Sequence, residues 1–550
     1  MKKIIECVPN FSEGRDMNII KQITDAIESV EGARLLNVDP GKATNRTVIT
    51  FVGDENTVVE AAFRAMSKAA ELIDMRKHKG EHPRFGATDV CPFIPIANAT
   101  MDDCIACAKK LGERVGKELK IPVYLYEYAA SAPHRKNLAN VRAGEYEGIA
   151  QKIKTADWKP DFGPASFNEK SGNVAIGARD FLIAYNVNLN TTSTRRANSV
   201  AFDVREQGRK VKNEAGEEIT QPGACKSVKG IGWYIAEYGV AQVSMNLTNI
   251  NVTPVHIAFD ECVKSAYNRG MRVTGSELIG LIPLKSMLDA GKYFLLKQNR
   301  STGVSEDELI KIAIKSMGLD ELTPFEPRKR IIEYLLEDAA ASPLVQMNLH
   351  RFADETASES PAPGGGSISA YIGALGVSLG TMVANLSSHK KGWDDRWKEF
   401  SDYAEDGQKI KDELLKLVDE DTRAFNKIMD AFGLPKGTDA EKAARKEAIQ
   451  AATKHAIEVP FKVMELSLKS FDVIKAMAEH GNPNSVSDAG VGALCARSAV
   501  YGAWLNVKIN AASYTDKRYT ARKLQKGKEI LDKAKEMERK VLAIVEKKIA

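Results

Sequence analysis

Cysteine is scarce and odd in number, seven residues scattered through 550. That excludes a disulfide framework and fits a reducing, cytoplasmic setting. Cys104 and Cys107 form one Cys-x-x-Cys, but no second ligand pair is near and no zinc signature occurs elsewhere. Two reduced thiols on an amphipathic helix are expected there, with no metal site. Charge of one sign is also missing: 78 Lys and Arg stand against 73 Asp and Glu, a net +5. That excess is too small over this length for a nucleic-acid coat, although it leaves room for local basic channels. No glycine turn carries the Gly-Lys-Ser/Thr ending of a nucleotide P-loop. The opening Met1-Lys2-Lys3-Ile4-Ile5-Glu6 lacks the apolar run of an export signal, because an acid soon interrupts it. One uncharged run, Ser367 to Leu386, approaches the length of a bilayer span. It is rich in Gly, Ala, Ser and Thr, so a tightly packed core helix is expected, with no membrane association.

What remains is ordinary globular usage, 43% hydrophobic and 27% charged. The length predicts about three to five compact units. In the first half, strand-like and helix-like segments alternate. Strands are expected at Ile4–Val8, Arg34–Val38, Thr47–Val52, Asp89–Ile96 and Pro122–Tyr126, with helices at Asp16–Val30 and Met101–Leu119. Val59, Phe63, Met66, Ala70 and Ile73 recur at steps of four and three, one face of a further helix. The order begins β-α-β-β-α-β, a split βαβ arrangement. After a Pro- and Gly-bearing stretch around Trp158–Gly172 the pattern restarts. Strands are expected at Asp180–Val187, Gly230–Glu237, Ala241–Leu247 and Glu277–Pro283. Beyond about Arg330 strand patterns almost vanish, and long helical patterns run to Ala550, one of them interrupted near Pro460. The fold class is therefore α/β plus all-α: two split-βαβ, ferredoxin-like subdomains and then a helical bundle. The boundaries expected are 1–178, 179–326, a linker at 327–345, and 346–550.

The densest chemistry in the first half is His78-Lys79-Gly80-Glu81-His82-Pro83-Arg84-Phe85-Gly86. Histidine suits proton transfer near neutral pH. Lys79 and Arg84 can hold carboxylates, and the glycines permit close backbone approach. The competing reading is a solvated charged loop. The string is no metalloprotease motif, since Lys-Gly-Glu separates the histidines. Asn10 and Asp39 end the first two strands and can face this loop, although each alone reads as a turn or cap residue. Gly163-Pro164-Ala165-Ser166-Phe167 is expected to join the subdomains, either as a cleft lining for a flat heterocycle or as plain linker.

In the second half, Gly364-Gly365-Gly366-Ser367 opens the small-residue helix, offering backbone N–H groups to an anion or simply making a sharp turn. Asp421 is the most informative residue. Ile410, Leu414, Leu417, Val418, Phe425, Ile428 and Phe432 form an apolar stripe, and at about 100° per residue Asp421 falls inside it. Its neighbour Asp419 falls on the polar face. A buried carboxyl has a raised pKa and can keep a proton near neutral pH. The alternative is a structural acid paired with Arg or Lys. Asn506 and Asn510, at i and i+4, can reach one ligand together.

Taken together these strings resemble the bifunctional formimidoyltransferase–cyclodeaminase family. Val8-Pro9-Asn10-Phe11-Ser12-Glu13-Gly14, Gly80-Glu81-His82-Pro83-Arg84-Phe85-Gly86 and Gly230-Ile231-Gly232-Trp233-Tyr234 resemble the transferase half. Ala362-Pro363-Gly364-Gly365-Gly366-Ser367, Leu417-Val418-Asp419-Glu420-Asp421 and Asn506-Val507-Lys508-Ile509-Asn510 resemble the cyclodeaminase half. The resemblance implies that His82 is the catalytic histidine, that Gly163 to Gly172 bind folate, and that Asp421 is the catalytic acid of the second half. It implies formimidoyl transfer from formimidoylglutamate to N5 of tetrahydrofolate, then cyclisation with loss of ammonia. Tetrahydrofolate, usually polyglutamylated, is a co-substrate, and no metal or redox cofactor is implied. A ring-like homo-oligomer with two kinds of dimer contact is also implied. A polyglutamate tail would make a basic path between the halves useful. The rival readings are a formylglutamate-using transferase fused to a cyclohydrolase-like domain, and a non-catalytic folate-binding scaffold.

Overall fold

The structure is a computed structural model and describes residues 3–42, 44–80, 84–214, 216–336 and 343–550. The chain forms two compact units, Met1–Ser286 with Ile314–Leu335, and Met287–Ala313 with Leu336–Ala550.

The first unit holds two sheets. Strands β1 (Ile4–Cys7), β2 (Asn10–Phe11), β3 (Arg34–Gly41), β4 (Arg46–Gly53) and β5 (Thr88–Ala97) alternate with helices α1 (Met17–Glu28) and α2 (Glu55–Leu72). β1 and β2 both pair with β4 and β5, and β3 pairs with β4. This is the ferredoxin-like order. It is extended beyond β5 by α3 (Met101–Arg114), β6 (Val123–Glu127), α4 (Leu138–Arg142), α5 (Glu145–Lys152) and β7 (Val174–Ala178), with β7 parallel to both β5 and β6. Asp16 and Asp54 cap α1 and α2 by accepting two backbone N–H groups each. Ile5, Cys7, Ile49, Phe51, Cys91 and Phe93 pack beneath these helices. Gly163–Phe167, within the stretch around Trp158–Gly172, was expected to join the subdomains. It instead leads into β7, a strand of the first sheet, so the chain changes sheets only after Ala178.

The second sheet repeats the design. β8 (Ile183–Leu189), α6 (Thr194–Val204), β9 (Arg209–Lys212), β10 (Glu218–Gln221), β11 (Val228–Ile235), β12 (Val240–Leu247), α7 (Val255–Asn268) and β13 (Val273–Ile279) follow in order. β9 and β10 form a separate hairpin, and the main sheet runs β11-β12-β8-β13. Ile183, Tyr185, Val187 and Leu189 alternate along β8 and are 0% exposed. They sit opposite Leu247, Met245, Val243 and Ala241 of β12 on the helix-covered face. Each such buried aliphatic contributes about 1.5–3 kcal/mol. The intervening Asn186 and Asn188 turn to the other face, where they meet Ser244 and Gln242.

The second unit is helical. It takes in most of α8 (Leu284–Lys297) and the start of α9 (Glu306–Met317); α10 (Pro327–Arg330) belongs to the first unit, and α11 (Ile332–Leu336) ends at the boundary. After α12 (Leu349–Thr356) come α13 (Gly365–Ser388), α14 (Trp397–Gly433), α15 (Asp439–His480), α16 (Val486–Ser513) and α17 (Lys517–Ile549). The uncharged helix α13 is long and apolar enough to cross a membrane by composition. It is packed inside the bundle instead, with Ala370, Ala374, Val377, Val383 and Ala384 in the core. Its glycines admit neighbours closely: a β-carbon at Gly373 would lie 2.6 Å from Ser467 Oγ.

Two expectations for the bundle are corrected. α15 runs unbroken through Pro460. Proline lacks the N–H that would bond the carbonyl four residues back. Here that carbonyl, on Ala456, accepts Nδ2–H of Asn510 at 2.7 Å. Asp419 is not on a polar face but 2% exposed. It accepts the backbone N–H groups of Leu344 and Val345 at 2.9 and 3.3 Å, fastening the segment that leads into the bundle.

Candidate active sites

The first site is built around the loop that follows α2. His82, with Glu81 and Pro83, lies outside the described residues, but the loop's two arms are fixed. Asn45 is the hub of one arm. Its Nδ2–H donates to the Lys79 carbonyl at 2.9 Å, its Oδ1 accepts from Gly14 N–H at 3.0 Å, and its own carbonyl meets His78 Nε2 at 2.8 Å. Asn45 has φ +48°, a conformation asparagine tolerates better than most side chains. Burial lowers the His78 pKa, which keeps the ring neutral with Nε2–H donating to that carbonyl. The other arm is held by Ser12 Oγ–H donating to the Gly86 carbonyl at 2.7 Å and by Phe85 N–H donating to Asp89 at 2.8 Å.

Gly86 and Gly172 form a bridge, and Asn173 N–H donates to the Phe85 carbonyl at 3.1 Å. A β-carbon on Gly172, which has φ +66°, would run into the backbone of Phe85 and Gly86. The far end of the Gly163–Gly172 segment is thereby laid against the histidine loop. Phe167 packs at a tilt against Tyr146, ring centroids 5.3 Å apart. Gly163 turns against Gly116 and Ile121, while Ala165 and Ser166 are exposed and Pro164 half-buried.

Asn10 and Asp39 are both opposite Val48, so they share one row across β2, β4 and β3. Arg46 lies one diagonal step from Asp39 on the same face. Its guanidinium and that of Arg142 share the Asp89 carboxylate at 3.1 and 3.0 Å. Burial, followed by repulsion from Arg142, holds the Arg46 pKa at about 10 against the pull of Asp89. Arg84 is paired with Glu147 at 2.5 Å, and Lys79 is exposed.

The outer face of the second sheet carries polar groups that the sequence reading passed over. Gln242 and Asn188 are 0% exposed and Asn186 4%. Gln242 accepts from Trp233 Nε1–H at 3.0 Å and donates to Asn188 Oδ1 at 2.8 Å. Glu277 accepts from Tyr238 Oη–H at 3.0 Å, Asn186 at 3.1 Å and Gln242 at 3.3 Å. Burial raises the Asp39 pKa. Arg330 and the Gly280 N–H draw it down, and Glu277 pushes it up. Asp39 of the first sheet therefore stands within the field of Glu277 in the second.

The second site lies at the N-terminus of α13. Gly364 caps the helix without a side chain, and Asp421 of α14 takes over that role. Its Oδ2 accepts Ser367 N–H at 3.0 Å and Ser367 Oγ–H at 3.4 Å. Ser367 Oγ–H also donates to the Val418 carbonyl at 2.7 Å. A β-carbon at Gly366 would collide with the Asp421 carboxylate. Asn506 Nδ2 is the nearest group to the corresponding position on Gly365, at 3.4 Å. The turn, Ser367, Asp421 and Asn506 are thus gathered in one place. Asn510 is committed to Ala456. Burial raises the Asp421 pKa against the pull of Ser367. Among the described residues no Arg or Lys is paired with Asp421, so the purely structural alternative loses its partner. Phe425 and Phe432 are 41% and 50% exposed, so the apolar stripe leaves the core just beyond the acid.

Family models divide the chain at the same elements. The formiminotransferase N-terminal subdomain matches residues 4–179, the formiminotransferase domain 184–337, and the formiminotransferase-cyclodeaminase model 348–546. Formimidoyltransferase-cyclodeaminase of Dictyostelium discoideum is 42% identical over 547 residues, covering 99% of both chains. The chain belongs to the formimidoyltransferase-cyclodeaminase family. The first half alone is 44% identical to glutamate formimidoyltransferase of Thermoplasma acidophilum, over 53% of this chain and 92% of the relative. The helical half is 35% identical to methenyltetrahydrofolate cyclohydrolase of Methylorubrum extorquens, over 36% of this chain and 97% of the relative.

In this member of the family, the residues that sequence reasoning missed are Asn45, Arg46, Asp89, Arg142 and Glu277. Arg46 and Asp89 gave one local signal: each is a charge at the leading end of a strand, which burial makes costly unless it is paired.

Proposed function

We propose that the chain is a bifunctional folate enzyme. The first unit transfers the formimidoyl group of N-formimidoyl-L-glutamate to N5 of tetrahydrofolate. The second cyclises 5-formimidoyltetrahydrofolate to 5,10-methenyltetrahydrofolate and releases ammonia. In the first step N5 attacks the formimidoyl carbon, the carbon–nitrogen bond to glutamate breaks, and the glutamate amine leaves with a proton. His82 handles the protons, and the Asn45 and Gly172 contacts fix the described residues on either side of it. Arg46 and Arg142 are the proposed receptors for the glutamate carboxylates, because two guanidinium groups share one Asp89 carboxylate there, whereas Arg84 is matched singly by Glu147. Placing two bound reactants together supplies much of the rate.

In the second step N10 attacks the same carbon, and ammonia departs with the proton of Asp421. The observation that carries this reading is the acid itself. It is desolvated, has no basic partner among the described residues, and is pressed against a glycine turn that leaves it room. Burial favours the protonated form of such a carboxyl.

The same reading includes a polyglutamylated folate, a homo-oligomer and a cytoplasmic setting. Seven free cysteines support the last. Exposed Leu375, Met382 and Leu386 on α13, with Val491, Leu494 and Leu505 on α16, supply apolar surface for a second copy. The test is incubation with formimidoylglutamate and tetrahydrofolate. Methenyl-folate absorbance with stoichiometric ammonia supports the reading. Activity with formylglutamate alone contradicts it and favours the alternative that the cyclohydrolase relative brings forward.

A further inference from the structure

A sheet face that is polar yet buried is a poor design for stability. Each hydrogen bond made there returns only about 0.5–1.5 kcal/mol net. The second sheet nevertheless spends Asn186, Gln242 and Tyr238 on holding the Glu277 carboxylate, with Trp233 bonded to Gln242 behind them, while Asn188 joins Gln242 to a second acid, Glu321. Glu277 takes three neutral donors and no cation among the described residues. Asp39 accepts the Gly280 N–H, three residues along from Glu277, and feels the charges of both Arg330 and Glu277. On the Asp39 side, one diagonal step along the sheet, Arg46 and Arg142 share Asp89. The two sheets therefore offer two acids, one of them beside Arg330, and, one diagonal step from Asp39, a pair of guanidinium groups sharing a single carboxylate.

That polarity matches one kind of molecule. A formimidoyl amine is an amidine. Amidines are strong bases, and the protonated N–C–N fork presents parallel N–H donors to a carboxylate, as a guanidinium does. A formyl amine of the same shape is a neutral amide with no such fork. We propose that Glu277, with Asp39 in its field, receives the amidinium head of the donor and selects formimidoyl over formyl donors. Holding the amidinium protonated also keeps its carbon electrophilic for the attack by N5. The carboxylates of the donor then fall toward Arg46 and Arg142. A neutral formyl donor leaves Glu277 without a cation, which costs more than one lost contact. This inference rests on the transferase reading above and names the group that gives it specificity.

The experiment compares Glu277→Gln with the wild type in the full-length chain. It measures KM and kcat for formimidoylglutamate and the inhibition constant of N-formylglutamate. Ammonia release from supplied 5-formimidoyltetrahydrofolate reports that the second unit is intact. The expected result is a KM for formimidoylglutamate raised about 10- to 100-fold, with N-formylglutamate binding unchanged or tighter. An unchanged ratio between the two ligands overturns the proposal. If Glu277→Gln does not fold, Asp39→Asn is read by the same ratio and the same criterion. A wild-type enzyme that transfers nothing from formimidoylglutamate refutes the transferase reading itself. A wild type that transfers normally, beside a variant with unaltered selectivity, refutes only the role of Glu277.

Discussion

Gly366 lies so close to Asp421 that the carboxylate occupies the space where a side chain would begin. A glycine is required there by a neighbouring helix, not by backbone conformation. Gly366→Ala therefore displaces the acid while leaving α13 a better helix former. The expected outcome is loss of ammonia release with transfer retained, read by assaying the two steps separately. Retained ammonia release would show that Asp421 tolerates displacement.

Pro460 and Asn510 form a compensated pair. Asn510→Ala leaves the Ala456 carbonyl without a donor and is expected to destabilise the second unit by about 1–3 kcal/mol. Pro460→Ala restores the helical N–H, so the double variant is expected to recover most of the loss. Thermal denaturation of the single and double variants checks this. Equal loss in both would mean that the Asn510 bond does not substitute for the missing one.

Glu6 on β1 is 2% exposed, and burial lifts its carboxyl to about 7, with Arg179 pulling the other way. A carboxyl whose folded pKa is raised favours the folded state most at low pH. That contribution is lost as pH rises from about 4.5 through 7. Glu6→Gln is expected to gain on the wild type across this window, by about 2–3 kcal/mol at pH 8. Melting temperatures of both proteins between pH 5 and 8.5 test it, and parallel curves would contradict it.

The pattern of residues revealed some of this and hid the rest for identifiable reasons. Helical periodicity located Asp421, because a lone acid in an apolar stripe needs only one helix to be seen. The same arithmetic misplaced Asp419: it assumes one buried face, while α14 is also covered by the segment at Leu344 and Val345. Pro460 read as a break because its remedy, Asn510, comes from another helix. Strand ends placed Asn10 and Asp39 together, which the shared register with Val48 explains. Glu277 stayed hidden because its partners come from two other strands and a turn, and no local spacing records that convergence. Arg142 sits in a five-residue helix, too short to show any period.

The central claim is that Asp421 gives its proton to the departing ammonia. The most direct measurement is single-turnover conversion of 5-formimidoyltetrahydrofolate by Asp421→Asn, followed as methenyl absorbance and ammonia across pH. The account predicts that the variant transfers the formimidoyl group normally and accumulates 5-formimidoyltetrahydrofolate without releasing ammonia. It further predicts that wild-type ammonia release falls as pH rises through the raised pKa of Asp421. Ammonia release at the wild-type rate by Asp421→Asn, or loss of both steps together, would contradict it.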